Sequence, residues 1–588
     1  MGTVSGESAG KQSKQRFYEL IVVLVAALIF GVGATSPPSL MDDVDAVQAQ
    51  IARNMLESGD WVTARLNGVA YLEKAPLKYW MMAASMWVFG ATDCAARLPV
   101  VLATIALCWL TVRIGAWAFS PLAGFYAGLA LSSCVGLWLF TRILIPDVVL
   151  TLSITAAMYA FLRNRPFLFW ACLGVGFLLK GLIAIVFPVA AVALFWFFTG
   201  EWREWRRLRP FSGVALLAAI AAPWLVLATL RNPPYFDFTW RSAPGEYHGF
   251  FWFFFLNEHV FRFLNMRHPR DYNTVPRLQF WLFHLLWLFP WSLWLPRALA
   301  RPSEQETNGA RMRMLCLCFC GFLLTFFTFS TTQEYYSMPV YPFLALLIGE
   351  GLTREPETKW PSRVLGVLTA AVAALLGALW VMSAGYPTAG DISQALTLNP
   401  DAYTLSLGHM RDLTLPAMAY LRTPLLIAAL AFVVGAAGCW LFAGVRRALM
   451  LAAMMVLFTF AARMALIAFD PYLGSRPLAE ALRRSPPGEV IFDNQYYTFS
   501  SVFFYAGARG WLLNGRVNNL EYGSYAPGAP QVFLNDAALP ARWHGPVLHY
   551  LLAEGPAVPR LEKLLGKDSL HVVKASGGKF LFANRLLQ

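Results

Sequence analysis

The chain has 588 residues, of which 57% are hydrophobic and only 14% charged, whereas an ordinary soluble chain is about a quarter charged. That balance excludes a soluble enzyme. Lys plus Arg number 47 against 34 Asp plus Glu, a net charge of +13, but the basic residues fall in short runs between apolar stretches, the loop pattern of membrane proteins, which excludes nucleic acid as the partner.

In chain order, Met1–Arg16 is polar and basic. The apolar run behind it, 17–34, is long enough to span a bilayer and has no small-residue cleavage site, so it reads as a first span and not a leader. Twelve more runs of spanning character follow at 98–116, 121–141, 148–162, 166–180, 181–199, 212–230, 277–296, 314–330, 338–352, 363–384, 422–443 and 448–468. Segment 78–92 is apolar but short, and charge parity decides its place. With Lys11, Lys14 and Arg16 inside and 78–92 lying on the outer surface, the cations Arg163, Arg165, the run Glu201–Arg209, Arg297, Arg301, Arg311, Arg313, Arg354, Lys359, Arg363, Arg446 and Arg447 all fall inside. A spanning 78–92 would place every one of them outside.

The same parity puts loops 35–97, 142–147, 231–276, 331–337, 385–421 and everything after 469 on the outer side. Long loops gathered on one face carry function. The expected fold is an α-helical polytopic membrane protein of about 13 transmembrane helices, with interfacial helices in the first and fourth outer loops. Its expected organisation is a cytoplasmic tail, 1–16, a transmembrane domain, 17–469, and a soluble extracytoplasmic α/β domain, 470–588. In that last part, short apolar segments at Glu489–Asp493, Trp511–Asn514, Gln531–Asn535, Val547–Ala553, His571–Lys574 and Lys579–Ala583 read as strands, with helices at Phe499–Tyr505 and Pro559–Leu565 between them. No GxGxxG and no P-loop occurs there, so no nucleotide cofactor is expected. Seven of the eight cysteines lie in apolar segments, and none has disulfide or zinc spacing.

The first outer loop opens with Asp42, Asp43 and Asp45, followed by apolar residues at 47, 51, 52, 55 and 56 on one helical face. A carboxylate-led surface helix results. Asp42 by itself reads as a solvated group favoured by the helix dipole; the cluster reads as catalytic. Next, Glu73, Lys74 and Lys78 stand among aromatics in Tyr71–Trp80, where they either anchor the interface or bind a phosphate or a metal. In the second outer loop, Arg142 precedes Asp147 at the start of a span. An ionisable group there is a functional candidate, against an N-cap as the alternative. In loop 231–276, Asn257, Glu258, His259 and Arg262 follow an aromatic run and read as a second interfacial helix. Glu73 and His259 could ligate a divalent cation, although two protein ligands are a weak metal signal. Glu334, Tyr335 and Tyr336 stand before span 338–352, as headgroup ligands or interface anchors.

These motifs in this order, together with GDWVTARLNGVAYLEKAPLKYW, LLKG at 178–181, NEHVFRF at 257–263 and QEYYSMPVYPFLALL at 333–347, resemble the bacterial branch of the GT-C glycosyltransferases related to protein O-mannosyltransferases, and within it the lipid A aminoarabinose transferases. The likeness covers about 1–350 well and the rest in outline. It implies transfer of a sugar from a polyprenyl phosphate to a membrane glycolipid or protein acceptor, outside a bacterial inner membrane, with the active site on the periplasmic side. It also implies a catalytic carboxylate in the acidic cluster, a second at Asp147, a donor-phosphate role for Lys74, and Glu73 with His259 as a metal pair. Lys78, Arg142, Arg262, Tyr335 and Tyr336 complete the substrate-binding candidates. Two departures stand out. The register in which the family carries Asp-Glu falls on Val44, leaving Asp43 and Asp45 as rivals, and Gln333–Ser337 stands where the aminoarabinose transferases carry Lys-Leu-Pro-Thr-Tyr. The rival class, a transporter or flippase of the same lipid, predicts repeated halves and broken helices at mid-membrane. No internal repeat occurs.

Overall fold

The computed structural model describes residues 2–268, 275–300, 307–330, 333–354, 359–396 and 413–587. Arg301, Thr331, Thr332 and the stretch 397–412 of the loop 385–421 lie outside the described residues.

All thirteen apolar runs fall on helical chain. Among the described residues, six helices are long and apolar enough to cross a membrane: Asp93–Ala118, Pro210–Arg231, Thr307–Phe329, Trp360–Gly385, Arg422–Leu441 and Gly444–Leu473. Two bent pairs bring the number to eight, Pro121–Ser132 with Val135–Thr141 at 50° and Arg277–Trp287 with Ser292–Leu299 at 103°. The second break contains Pro290, which has no amide hydrogen to continue a helix. Asp147–Leu162, Pro166–Lys180 and Ile183–Thr199 are shorter apolar helices, packed side by side. The helix Pro210–Arg231 exposes Phe211, Val214, Val226, Leu227 and Leu230 along its outer face. Water would penalise such a face, whereas lipid tails do not. The chain is a helical membrane protein.

The loop 35–97 is ordered by its own short elements. Helix Val44–Ser58 buries its apolar face and ends at Gly59 in the left-handed conformation. A small hairpin follows, β1 (Arg65–Leu66) and β2 (Val69–Ala70), turned through Asn67 and Gly68, both at positive φ as a tight hairpin turn requires. The short apolar segment 78–92 is helix Leu77–Phe89. It packs Lys78, Tyr79, Met82, Ala83 and Met86 inward and exposes Trp87, Val88 and Phe89. In the loop 231–276 a helical turn, Gly249–Phe251, runs into a π-helical stretch, Trp252–Phe261.

The C-terminal part is a six-stranded mixed sheet with helices. Its strands are β3 (Glu489–Asp493), β4 (Gly510–Leu513), β5 (Phe533–Leu534), β6 (His549–Glu554), β7 (His571–Ser576) and β8 (Lys579–Ala583), in the order β5-β4-β3-β6-β8-β7. β5, β4, β3 and β6 run parallel; β8 pairs antiparallel with β6 and forms a hairpin with β7. Ile491, Leu513, Leu551 and Phe582 build a core on one side of the sheet with Trp543, Leu561 and Leu565. The other side packs Val490, Phe492, Leu512 and Leu552 into the same apolar core as the helix Val44–Ser58, so the sheet and loop 35–97 fold against each other.

Candidate functional site

Asp45 and Asp147 meet at one loop. Asp45, in the first turn of helix Val44–Ser58, is buried. Its Oδ1 accepts the Leu144 amide at 3.1 Å, and its Oδ2 lies 3.6 Å from Arg97 Nη2. Leu144 leads directly into Asp147, the first residue of helix Asp147–Leu162. Asp147 is 1% exposed, and its carboxylate does not cap its own helix. Instead Oδ1 is ion-paired with Lys180. Asp45 Oδ2 and Asp147 Oδ2 are both buried, with no hydrogen-bond partner among the described residues. Burial pushes the Asp45 carboxyl up, and the nearby Arg97 opposes it. Asp43 sits differently. Its backbone takes φ 70°, its amide donates to Tyr497 O at 2.9 Å, and burial with the neighbouring Asp42 charge pushes its carboxyl up to about 7.

Lys180 is the residue that sequence reasoning left out. It comes from the LLKG motif, and its ammonium stands 4.5 Å from the Tyr336 ring centre and 5.2 Å from that of Tyr335. One cation therefore joins Asp147 to the tyrosine pair. The Gly of the motif has its own reason: Gly181 takes φ 74°, and a Cβ there would meet His259 Nε2 at 2.3 Å. Only glycine lets the chain turn beneath that imidazole.

A second ionic group gathers from loops 35–97 and 231–276. Arg267 bridges two buried carboxylates, donating from Nε to Glu258 Oε1 at 2.5 Å and from Nη2 to Glu73 Oε1 at 3.1 Å. Arg262 Nη1 reaches Glu258 Oε2 at 2.8 Å, and Lys74 Nζ stands 3.7 Å from both Glu73 and Glu258. Burial works against the Glu258 carboxylate, but Arg267, Arg262 and Lys74 outweigh it and hold the group at about 2; burial dominates at Glu73 and raises it. Arg267 carried no sequence signal beyond its loop.

Glu73 and His259 do not fit a metal. His259 Nε2 accepts the Leu182 amide at 3.1 Å, and its Nδ1 donates to Phe254 O at 2.5 Å, so both ring nitrogens serve the backbone. Glu73 is taken by Arg267, Lys74 and the Tyr71 hydroxyl. Among the described residues, no three His, Cys, Asp or Glu side chains group so as to hold a metal ion. Glu73 is joined instead to Glu258, through Arg267.

Of the remaining candidates, Lys78 is buried under Gln48, its Nζ 2.5 Å from Gln48 Oε1, which also accepts the Tyr79 hydroxyl at 2.8 Å. Burial and the Lys74 charge depress it far below an ordinary lysine. Arg142 lies near Asp45, where its charge joins that of Arg97 in favouring the carboxylate, and its Nη1 stands 3.4 Å from Met41 Sδ. It lines a pocket with Arg97, Thr104, Thr141 and Arg463, walled by Ile29, Phe30, Val101, Trp138 and Phe460.

A polytopic helical membrane protein with buried carboxylates and cations gathered where its loops meet the helix ends is the class that fold and site define. Residues 73–227 match the dolichyl-phosphate-mannose-protein mannosyltransferase family. The chain is 29% identical over 356 residues to the undecaprenyl phosphate-alpha-4-amino-4-deoxy-L-arabinose arabinosyl transferase of Aeromonas salmonicida, covering 56% of this chain and 60% of that one. It is 31% identical over 362 residues to the corresponding transferase 1 of Sodalis glossinidius, covering 57% and 60%. The chain thus spans less than two thirds of the length of the curated relatives it matches. Among solved structures, the crystal structure of ArnT from Cupriavidus metallidurans bound to undecaprenyl phosphate superposes with a TM-score of 0.74 at 21% identity, over 96% of this chain and 98% of that one. The chain has that protein's fold, and in sequence it resembles the aminoarabinose transferases.

Proposed function

We propose that this chain is an integral membrane glycosyltransferase that takes a sugar from a polyprenyl-phosphate donor and passes it to a membrane glycolipid or protein acceptor on the periplasmic side of a bacterial inner membrane. The observation that carries this reading is the pair Asp45 and Asp147. Two carboxylates at the two sides of loop 142–147, Asp45 through the Leu144 amide and Asp147 at its end, are both buried, and among the described residues both keep an oxygen with no hydrogen-bond partner. Burying such groups is costly unless they serve a purpose.

The chemistry follows from the residues. A lipid-linked donor keeps its chain in the bilayer, so its phosphate must be met at the interface, where Lys74 stands. A cation there stabilises the leaving phosphate as the bond to the sugar breaks. We assign the rivalry in the acidic cluster to Asp45, because it shares the loop of Asp147 while Asp43 serves the turn. A hydroxyl acceptor gives its proton to a carboxylate; a phosphate acceptor needs only positioning. The pocket carrying Arg142, Arg97 and Arg463 offers charge and apolar walls for an anionic acceptor. Lys180, with Tyr335 and Tyr336, holds Asp147 in place. Neither a nucleotide nor a divalent cation enters this scheme.

The finer topology belongs to the same reading: thirteen spans, residues 1–16 inside, 17–469 as the membrane domain, and 470–588 outside. The test is transfer by the purified full chain, supplied with polyprenyl-phosphate sugar and envelope lipid extract. Product should form, Asp45→Asn should abolish it, and Asp43→Asn should retain most of it. Movement of intact donor between leaflets with no bond broken would replace this reading by a flippase.

A further inference from the structure

We propose that Lys579, on the last strand of the C-terminal sheet, is a positioning residue for Asp45, acting through a latch on Asp42. The inference rests on the transferase reading above and adds the C-terminal sheet to its working parts. Asp42 is not the solvated helix-start carboxylate that its sequence context suggests. Its side chain is 8% exposed and lies 2.6 Å from Lys579 Nζ. The same oxygen accepts the Ser475 hydroxyl at 2.5 Å, and Oδ1 accepts the Ser501 amide at 2.8 Å. Lys579 Nζ also reaches Ser475 Oγ at 3.2 Å. Every one of these partners comes from the chain beyond residue 470.

The backbone is held by the same region. The Asp42 amide donates to Leu473 O and the Asp43 amide to Tyr497 O, both at 2.9 Å, and Ser500 Oγ donates to Asp43 O at 3.2 Å. Between these ties Asp43 adopts φ 70°, a conformation that a non-glycine residue keeps only when its surroundings enforce it. Helix Val44–Ser58 starts at the next residue, and Asp45 lies in its first turn. The direction of the Asp45 carboxylate toward Leu144 is therefore set by a turn that the chain beyond residue 470, Lys579 included, clamps. Tyr497 extends the coupling: its hydroxyl lies 3.3 Å from that of Tyr71, which donates to Glu73 Oε2 at 3.2 Å. Residues of the C-terminal part thus reach both Glu73 and the turn that carries Asp45.

The test uses the full-length chain in lipid nanodiscs. Three substitutions are compared: Lys579→Met, which removes the charge and keeps the stem; Lys579→Arg, which keeps the charge; and Ser475→Ala, which removes one bond to Asp42. For Lys579→Met, kcat should fall about 50-fold, within the range expected for a misplacement of about 1 Å, while KM for the donor stays within about twofold. Hydrogen exchange should rise in 41–50 and not in the membrane helices. Lys579→Arg should recover most of the loss. If Lys579→Met does not fold, Ser475→Ala decides, with a fall in kcat of about fivefold and the same local rise in exchange. Unchanged exchange in 41–50, or kcat and KM moving together with protection lost along the whole chain, would overturn the proposal. A wild-type chain that transfers no sugar would overturn the transferase reading instead, and the exchange data would still decide the latch.

Discussion

Asp147 makes two demands on its surroundings, and they can be separated. It neutralises Lys180, and under the proposed function it also acts on substrate. Asp147→Asn keeps the shape and removes the charge. The ammonium of Lys180 then sits against Tyr335 and Tyr336 with its side chain only 18% exposed. Losing one partner of a buried pair costs about 3–5 kcal/mol. The residual exposure of Lys180 and an offset of about 1–2 kcal/mol from the rings bring the expected loss to about 2 kcal/mol. Lys180→Met in the same chain removes the stranded charge and should return stability to within about 1 kcal/mol of wild type. Turnover should behave otherwise. In the Lys180→Met background, Asp147→Asn should still lower kcat by at least about 100-fold, the scale of a lost proton-transfer group. The four chains of this cycle would be compared by single-turnover transfer and by thermal unfolding in detergent. If Asp147→Asn costs no further turnover once Lys180 is Met, Asp147 is a counter-ion and not a catalytic residue.

Lys74→Ala should weaken binding of a donor analogue about tenfold, because the ammonium between Glu73 and Glu258 is the cation assigned to the leaving phosphate; unchanged affinity in a direct binding assay removes it from the donor site. Treatment with a strong chelator should leave transfer within about twofold of the untreated rate, because both nitrogens of His259 already serve the backbone; a larger loss, restored by one particular metal, refutes this. Asp43 gives a pH signature. Its carboxyl is raised from 3.8 to about 7, so between those values the folded chain holds a proton that the unfolded chain has lost. Its contribution to stability is complete below the unfolded value and is lost as pH rises through 7. The Tm should drop between pH 5 and pH 8, and Asp43→Asn should flatten that drop. Reporter fusions after Arg209 and after residue 480 should report inside and outside respectively; either reversal breaks the topology.

Much of the fold is legible along the chain because lipid imposes a local rule. Every backbone group within a bilayer needs an internal partner, so an apolar run of sufficient length becomes helix whatever its neighbours, and all thirteen such runs lie on helical chain. The strands of the C-terminal part show through their alternation for a similar local reason. Asp147 and the tyrosines at 335 and 336 announce themselves because polar groups at the edge of an apolar run are conspicuous. What joins them is not local. Lys180 looks like the end of a helix until the fold brings it to Asp147 and the two rings. Arg267 and Glu258 take Glu73 away from His259, a choice of partner made by packing across 194 residues of chain. Lys579 meets Asp42 from 537 residues away, so a turn that looked solvated is buried and clamped. Local hydrophobicity determines where helices form, whereas the pairing of buried charges depends on which partners the packed helices bring within hydrogen-bond reach, and that only the tertiary structure decides.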